Sequence, residues 1–296
     1  MGNRAWTRAA ARPTNQDKTV TNRLVSPMRE LERSSLRHTD DAGPPVGALA
    51  IVGAGRVGGS LAAAARAAGF EVRLAARGEA TGASAGAEAA LICVADADIA
   101  AAAAEVGAAR PAPRLVGHVS GATSLDALDP AVDADGTVAF ALHPLQTIPG
   151  DDAELAGCPC AVAGADATAL AYATALAERL GMRPFTLDED ARAAYHAAAS
   201  MASNLLVALE ESAVELLSAA GIADGRELLS PLVLRSAANW SEHGAAALTG
   251  PIARGDEATV RAHREALRER APELLDAYEA LAERARAIAA PREAGR

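Results

Sequence analysis

Lysine is almost absent from this chain of 296 residues: Lys18 is the only one, and arginine supplies all the other basic side chains. The rest of the chain therefore has no lysine to form a Schiff base or to act as a general acid. Cysteine is also scarce, and the spacing of Cys93, Cys158 and Cys160 fits neither a disulfide framework nor a zinc site. We expect reduced thiols in a cytoplasmic protein and predict no metal site.

Long apolar runs, aromatic residues and excess positive charge are missing as well. No stretch approaches about 18 apolar residues and the N-terminus lacks the apolar segment of a signal peptide, so we expect neither membrane association nor secretion. The net charge of −10 argues against a nucleic-acid partner. Hydrophobic residues make up 50% of the chain but aromatic residues only 3%, which indicates close-packed helices with small side chains.

Residues 1–45 are polar and basic without apolar periodicity, so we predict a disordered tail there. From residue 46 onward, short apolar runs alternate with alanine-rich stretches of helical length. This alternation predicts an α/β fold, a Rossmann-like, doubly wound and mainly parallel sheet over residues 46–187. The predicted strands are Leu49–Val52, Glu71–Ala75, Ala90–Ala95, Leu115–Val119, Val138–Leu142, Cys160–Ala163 and Pro184–Leu187. The predicted helices are Val57–Ala68, Ile99–Val106 and Ala167–Leu180.

No strand pattern follows Leu187, so an all-helical C-terminal domain is predicted over residues 188–296. One long helical run is expected over Asp188–Ala220, with Gly221 ending it. The remaining predicted helices are Gly225–Ser241, Asp256–Arg268 and Pro272–Ala290.

The motif Gly53-x-Gly55-x-x-Gly58 joins the first predicted strand to the first predicted helix, which is the context of a dinucleotide-binding loop. Gly53 permits a tight turn, Gly55 lets the backbone approach a pyrophosphate, and Gly58 allows close helix–strand packing. The helix N-terminus offers N–H groups to the phosphates. The predicted cofactor contacts are Gly53, Gly55, Arg56, Val57, Gly58, Arg77, Ala95 and Gly121.

The second predicted strand ends in Arg77 rather than in the acidic residue that binds the ribose hydroxyl of NAD. An arginine suits a 2′-phosphate, and Arg56 in the glycine loop adds a second positive charge. NADP is therefore favoured over NAD. Arg77 as an ordinary solvated strand-end charge is the alternative, and nearby Glu79 keeps NAD in consideration.

Polar residues follow two later strands, where the carboxyl ends of a parallel sheet face the cofactor. Ser120 and Gly121 come after the fourth strand, and either contact the nicotinamide and substrate or cap the next turn. His143 comes directly after the fifth strand and is followed by Pro144 and Gln146. We predict His143 as the group that transfers a proton, Ser120 as a catalytic residue that orients the substrate, and Gln146 as a substrate contact.

The helical domain contains two further polar clusters. His196, Ser200 and Asn204 are spaced four residues apart, which places them on one face of the predicted helix, where they either line a cleft or bond to other helices. We predict catalytic roles for His196 and Asn204 and substrate binding for Ser200. Arg254 is suited to a substrate carboxylate, although Asp256 is equally suited to cap the next helix with Arg254 as its ion-pair partner.

From about residue 48 to 290 the chain resembles Rossmann-like oxidoreductases that carry a C-terminal helical domain of unknown function 2520. The resemblance rests on GAGRVG, SGA, HPLQT, YHAAASMASN and LTGPIARGD, in that order along the chain. It implies an NADP-linked fold more than a particular reaction. More distantly, the layout is similar to pyrroline-5-carboxylate reductases and deazaflavin-dependent NADP reductases.

Prephenate dehydrogenases carry a serine and a His-Pro pair after corresponding strands, and the resemblance maps these onto Ser120 and His143. HPLQT differs from the longer signature of that family, which argues against prephenate as the substrate. Ketopantoate reductases and beta-hydroxyacid dehydrogenases use a lysine in the helical domain, near the location of His196 and Ser200. The lack of lysine means that a ketopantoate-like activity here requires a histidine proton donor.

The predicted function is NADP-dependent hydride transfer to or from a small carbonyl, imine or hydroxy-acid substrate in a cleft between the domains. A ketopantoate-reductase-like activity and a non-catalytic NADP(H)-binding sensor or scaffold are the alternatives. Because the alanine-rich helical domain is expected to expose a broad apolar face, we also predict a homodimer formed through it.

Overall fold

The computed structural model of the protein describes residues 47–132 and 136–290. The predicted disordered tail, residues 1–45, lies outside these ranges. The described residues form two compact units, one ending at Ala193 and the other beginning at Ala194. The first unit holds a sheet covered by helices, and every element described in the second unit is helical.

The sheet of the first unit contains seven strands, all of them near the predicted positions. They are Leu49–Val52 (β1), Val72–Ala75 (β2), Ala89–Ile92 (β3), Leu115–His118 (β4), Val138–Pro144 (β5), Pro159–Gly164 (β6) and Arg183–Thr186 (β7). Their order is β2-β1-β3-β4-β5-β6-β7, and every neighbouring pair is parallel except β5 and β6. This confirms the predicted Rossmann-like, mainly parallel sheet.

Helices cover both faces of the sheet, which explains why β1 and β3 consist of apolar residues alone and are buried throughout. The four helices are Arg56–Ala67 (α1), Ala80–Ser84 (α2), Ile99–Gly107 (α3) and Ala167–Arg179 (α4). Ile51 and Phe140 pack with α1 and α4 on one face. Ala50 and Val116 pack with α2 and α3 on the other face. Small alanine side chains let these helices lie close to the strands.

Strand β5 is longer than predicted, and this changes the position of His143. The apolar run ends at Leu142, but the strand continues through His143 and Pro144 because they pair with Ala161 and Cys160 of the antiparallel β6. His143 therefore lies within β5, and the prediction that it follows the strand is wrong. The parallel neighbour β4 ends earlier, with His118 paired to Ala141.

The predicted single helix over Asp188–Ala220 is also wrong. A 3-10 turn at Glu189–Ala191 precedes Arg192–Ala202 (α5), and a separate helix covers Asn204–Ala219 (α6). Ser203 breaks the run with φ −128° and ψ −77°, and its hydroxyl donates to the carbonyl oxygen of Ala199 at 2.9 Å. Serine in a helix competes for backbone bonds in this way, which bends or interrupts the helix.

Three of the remaining helices of the second unit agree with the predicted positions, and one short helix was not predicted. The helices are Gly225–His243 (α7), Pro251–Arg254 (α8, the unpredicted one), Glu257–Arg270 (α9) and Leu275–Ala289 (α10). Gly221, with φ +79°, follows the end of α6 as predicted. Across the described ranges, no helix has the length and apolar character needed to cross a membrane.

Candidate active site

The glycine loop joins β1 to α1 and has the geometry that its sequence predicts. Gly53 has φ +114°, and a Cβ there would lie 2.5 Å from the carbonyl oxygen of Cys93. A Cβ on Gly58 would collide with the carbonyl oxygen of Gly53. By contrast, a Cβ on Gly55 would meet no heavy atom of the described residues within 4 Å. Gly53 and Gly58 are thus required by packing, whereas Gly55 borders open space.

That open space lies at the N-terminus of α1, where backbone N–H groups have no partner within the helix. Gly55 occupies the N-cap position, and among the described residues no side chain caps this terminus and no acidic residue lies in its first turn. Arg56 is exposed in that turn and Val57 is half-buried. The space in front of Gly55 thus has backbone N–H donors, the positive end of the α1 dipole and Arg56 around it. This arrangement suits the negatively charged pyrophosphate of a dinucleotide.

The ends of β2 and β3 lie on either side of the end of β1 and carry Arg77 and Ala95. The Arg77 side chain is 92% exposed, and its Nη2 lies 3.8 Å from Oδ2 of Asp98. The carboxylate of Glu79 accepts the N–H of Ala76 at 2.9 Å. Glu79 therefore stabilises the strand end, while the guanidinium of Arg77 remains open to solvent.

Ser120 lies in the loop that follows β4 and is 6% exposed. Its Oγ accepts the N–H groups of Ala122 and Thr123 and donates to Oγ1 of Thr123 at 3.0 Å. The hydroxyl thus caps the turn, which is one of the two roles expected from the sequence. Gly121 is buried in the same turn.

The sheet register brings His143 to the same edge as Ser120. Ala141 pairs with His118; His143 lies two residues after Ala141 within β5, and Ser120 lies two residues after His118 in the loop that follows β4. Both residues therefore come from the carboxyl-terminal ends of adjacent parallel strands. His143 is half-buried and shares a sheet face with Ala141 and His118, because side chains two residues apart point the same way.

The loop after β5 returns across α1. Gln146 is exposed, and its side-chain oxygen accepts the N–H of Thr147 at 3.0 Å. The Ser60 hydroxyl donates to the carbonyl oxygen of Gly150 and accepts the N–H of Ala153, both at 3.2 Å. Ser60 was not predicted as a site residue, and the available signal was a single hydroxyl side chain in an otherwise alanine-rich helix. It fixes the loop close to the glycine motif.

In the second unit, His196 and Ser200 are half-buried on α5. Asn204 is the first residue of α6 and is exposed, so the prediction that all three share one helix face is wrong. The break at Ser203 separates Asn204 from the other two.

Arg254 is exposed at the end of α8, and Asp256 caps α9. The Asp256 carboxylate accepts the N–H of Thr259 at 3.1 Å and its hydroxyl at 2.7 Å. These bonds hold the pKa of Asp256 below its usual value. The predicted N-cap is confirmed, and carboxylate binding by Arg254 stays a prediction.

His118 and Arg192 are two buried polar residues of the first unit to which the sequence analysis gave no role. Burial lowers the pKa of His118 from 6.5 to about 4, and the positive charge of Arg192 acts in the same direction. The hydrogen bond to Ser124 and the negative charges of Glu189 and Asp96 oppose this shift. The available signal was a histidine at a strand end beside the predicted catalytic turn.

Cys93, Cys158 and Cys160 are buried free thiols, as predicted, and burial raises the pKa of each. Across the described residues, no cluster of three or more His, Cys, Asp or Glu side chains is arranged to hold a metal ion.

Residues 158–285 match the family described as "Domain of unknown function (DUF2520)". The match begins within the sheet and extends through β6, α4 and β7 into the helical unit. No curated protein matches the chain by sequence.

Several solved structures share the fold at low sequence identity. The Bacteroides fragilis protein BF3122, named as a candidate NADP oxidoreductase, is 20% identical with a TM-score of 0.68, covering 82% of this chain and 98% of that one. Protein TM1727 from Thermotoga maritima is 21% identical with a TM-score of 0.64, covering 81% and 98%. A reductive aminase from Aspergillus terreus, in complex with NADPH and ethyl levulinate, is 17% identical with a TM-score of 0.58, covering 81% and 93%.

These similarities confirm the fold and the resemblance seen in the sequence. The nucleotides belong to the solved structures in which they were found, and identities of this size carry the fold alone. The chain thus has a Rossmann-like fold, and its residues 158–285 match the model of the domain of unknown function 2520.

Proposed function

We propose that this protein is an NADP-dependent oxidoreductase that transfers a hydride to or from a small carbonyl, imine or hydroxy-acid substrate. The observation that carries the proposal is the open space at Gly55, in front of the uncapped N-terminus of α1. When bound, the nicotinamide would supply the hydride chemistry. The chain supplies the binding loop at the end of β1 and the polar residues Ser120 and His143, which belong to the next two strands beyond β3.

His143 is the side chain we assign to proton transfer. An imidazole is suited to donate or accept a proton near neutral pH, and here it lies near the carboxyl end of β5, the neighbour of the strand that the Ser120 turn follows. The Ser120 hydroxyl already donates its hydrogen bond to Oγ1 of Thr123. Ser120 therefore contributes to the site by stabilising the turn in which it lies. Gln146 is exposed in the loop that follows β5 and remains a predicted substrate contact.

The preference for NADP rests on Arg77. Its exposed guanidinium at the end of β2 is placed where dinucleotide-binding folds contact the adenosine ribose. Glu79 is the acidic residue that would favour NAD, but its carboxylate is bonded to the N–H of Ala76. A planar and permanently charged side chain therefore suits a 2′-phosphate.

The substrate class follows from the proton donor and from the shared fold. A reductive aminase with NADPH bound and a pyrroline carboxylate reductase with NADP bound, from Plasmodium falciparum, have similar folds. Both names point to carbon–nitrogen double bonds, whose reduction needs a hydride and a proton. Reduction of a carbonyl group also needs a hydride and a proton. Ketones, 2-oxo acids and cyclic imines are therefore the compounds to test.

Replacing His143 with alanine tests the assignment. We expect NADPH oxidation, followed at 340 nm over ketones, 2-oxo acids and cyclic imines, to slow by about 10²–10⁴-fold, the usual contribution of a general acid. The dissociation constant of NADPH should stay nearly unchanged. His243→Ala, at an exposed histidine of α7, is the matched control and should retain full activity. Loss of NADPH binding in His143→Ala would refute the role, and binding without turnover in the wild type would indicate a sensor.

We further propose that the protein is a homodimer formed through its helical unit. Helix α6 has no buried residue, and Gly225 is the only buried residue of α7. A helix that is apolar on several exposed sides requires a partner. Nine large apolar side chains of this region are 40–68% exposed, namely Met201, Leu205, Leu206, Val207, Leu209, Leu228, Leu232, Leu234 and Trp240.

A second copy of the chain is the partner that fits this surface. At roughly half of about 180 Å² each, these nine side chains expose roughly 800 Å², close to the ~800 Å² that each partner buries in a standard interface. Between residues 228 and 241 the only charged residue is Arg235, so two copies of an acidic chain can meet along this stretch without bringing carboxylates together. The buried thiols agree with a reducing compartment such as the cytoplasm.

Light scattering after size-exclusion chromatography tests the dimer. The wild type should have twice the mass of the chain, and Leu232→Glu should shift it to the monomer, because a buried carboxylate without a partner is costly. Val132→Glu, at a 40% exposed apolar residue of the first unit, is the matched control and should stay dimeric. A monomeric wild type at micromolar concentration would refute the proposal.

A further inference from the structure

His118 is the last residue of β4, and its imidazole ring is fully buried. The ring bonds to the turn that follows it at two points. Nδ1 accepts the backbone N–H of Ser120 at 3.2 Å, and Nε2 lies 3.3 Å from the carbonyl oxygen of Ser124. Because a backbone N–H only donates, Nδ1 carries no proton. Nε2 must then carry the proton and donate it to Ser124, which makes the ring neutral and defines its tautomer.

Residues 120–124 therefore depend on the ring for their conformation. The ring holds Ser120 at the start and Ser124 at the end, while the Ser120 hydroxyl holds Ala122 and Thr123 in between. No other residue bonds to both ends of the turn among the hydrogen bonds of the described chain. An apolar ring in the same place would leave a buried N–H and a carbonyl oxygen without these partners.

Burial favours the neutral form of the ring that this geometry requires, and one nearby positive charge acts in the same direction. Arg192 is 3% exposed, and its guanidinium binds the carboxylate of Glu189 through two nitrogen atoms. Its positive charge and the burial of the ring both lower the pKa of His118, against the opposing effect of Glu189 and Asp96. The ring is therefore uncharged near neutral pH, and the two hydrogen bonds persist there.

We propose that His118 is a positioning residue, whose neutral ring holds residues 120–124 in the conformation that the active site uses. The inference rests on the proposed function, since it assigns this turn to the same edge as His143. His118 acts through the turn and contacts neither substrate nor cofactor. It is distinct from His143, which lies two residues beyond the partner of His118 in the register.

Nitrogen NMR of the wild-type protein labelled with ¹⁵N-histidine tests the tautomer directly. We expect one ring with the shifts and couplings of a neutral imidazole protonated at Nε2, unchanged down to about pH 5. The signals missing from His118→Phe identify that ring. A charged ring at neutral pH, or a proton on Nδ1, would overturn the inference. This measurement needs no substrate and no cofactor.

Hydrogen exchange and kinetics of three variants test the role. In His118→Phe, amides of residues 119–124 should exchange about tenfold faster, the order expected when two hydrogen bonds are lost. In His118→Asn, the amide oxygen can still accept the Ser120 N–H and should restore part of the protection. His263→Phe is the control, because His263 pairs with Tyr278 in the second unit and should leave this turn unaffected.

Kinetics are measured with the substrate found in the NADPH oxidation experiment. In His118→Phe, kcat should fall at least about tenfold, and in His118→Asn it should partly recover. In both variants kcat should change more than the dissociation constant of NADPH does. A loosened turn with unchanged kcat would overturn the positioning role and leave the proposed function standing. A wild-type protein that binds NADPH without any turnover would instead overturn the proposed function, even if the tautomer and exchange results came out as expected.

Discussion

Gly55→Ala separates cofactor binding from folding. Gly55 has φ −77°, which any residue adopts, and a Cβ there would have no neighbouring heavy atom of the described chain within 4 Å. The substitution should therefore fold normally, with a melting temperature within about 2 °C of the wild type, since surface changes usually cost less than about 0.5 kcal/mol.

The same methyl group would project into the space that we assign to the pyrophosphate. Moving a phosphate away from the N–H groups of α1 by a few tenths of an ångström weakens its charge-assisted hydrogen bonds, each worth about 1.5–3 kcal/mol. Loss of one such bond raises the dissociation constant of NADPH by roughly 10- to 150-fold. Fluorescence titration of NADPH into the wild type and Gly55→Ala measures this change.

Gly58→Ala is the contrasting variant, because its Cβ would collide with the carbonyl oxygen of Gly53. Overpacking of this kind costs about 1–3 kcal/mol, so the melting temperature should fall by several degrees. If Gly55→Ala binds NADPH as tightly as the wild type, the pyrophosphate does not lie at this loop. If Gly55→Ala instead melts much earlier, the space in front of Gly55 is not open.

Two further predictions concern charge. Arg77→Glu should raise the dissociation constant of NADPH by about tenfold or more and leave that of NADH nearly unchanged, because only NADPH carries the 2′-phosphate. Equal effects on both dissociation constants would refute the preference for NADP over NAD. Because the pKa of His118 falls from 6.5 in the unfolded chain to about 4 in the folded one, the unfolded chain binds more protons between these values. The free energy of unfolding should therefore decrease by roughly 3 kcal/mol as pH falls from about 6.5 to about 4, and His118→Asn should lose this part of the dependence in denaturant titrations.

The sheet is predictable from the sequence because its strands are buried on both faces. β1 and β3 are continuous apolar runs, so local composition alone locates them. Gly53 ends β1, whereas β3 ends at Ile92, three residues before the apolar run does. β5 is different, since His143 and Pro144 enter the strand only through pairing with the distant β6. A non-local partner of this kind leaves no mark in the local pattern.

The helical unit shows the same distinction. Ser203 interrupts a run that alanine and leucine make strongly helical, and the interruption depends on how one hydroxyl bonds to Ala199. Helical periodicity therefore predicted three polar residues on one face, and Asn204 lies outside it. Asp256, in contrast, is an N-cap that the local sequence identifies, because the cap and its partner Thr259 are three residues apart.

In the candidate site, the strand-end rule correctly places Ser120 in the loop after β4. The same rule singled out His143, but pairing with β6 puts that residue inside β5. The rule did not reveal His118, since the ring acts only after the chain turns back to bring Ser124 within reach of Nε2. The loop that Ser60 fixes to α1 was missed for the same reason: its partners Gly150 and Ala153 are distant in the sequence.

The central claim is that this chain oxidises or reduces a small molecule with a nicotinamide dinucleotide. A single measurement tests it most directly: the absorbance at 340 nm of NADPH bound to the wild-type protein after mixing with ketones, 2-oxo acids and cyclic imines. We predict that at least one compound discharges this absorbance and that His143→Ala slows its loss by about 10²–10⁴-fold. Bound NADPH whose absorbance persists with every compound, in the wild type as in His143→Ala, would contradict the claim.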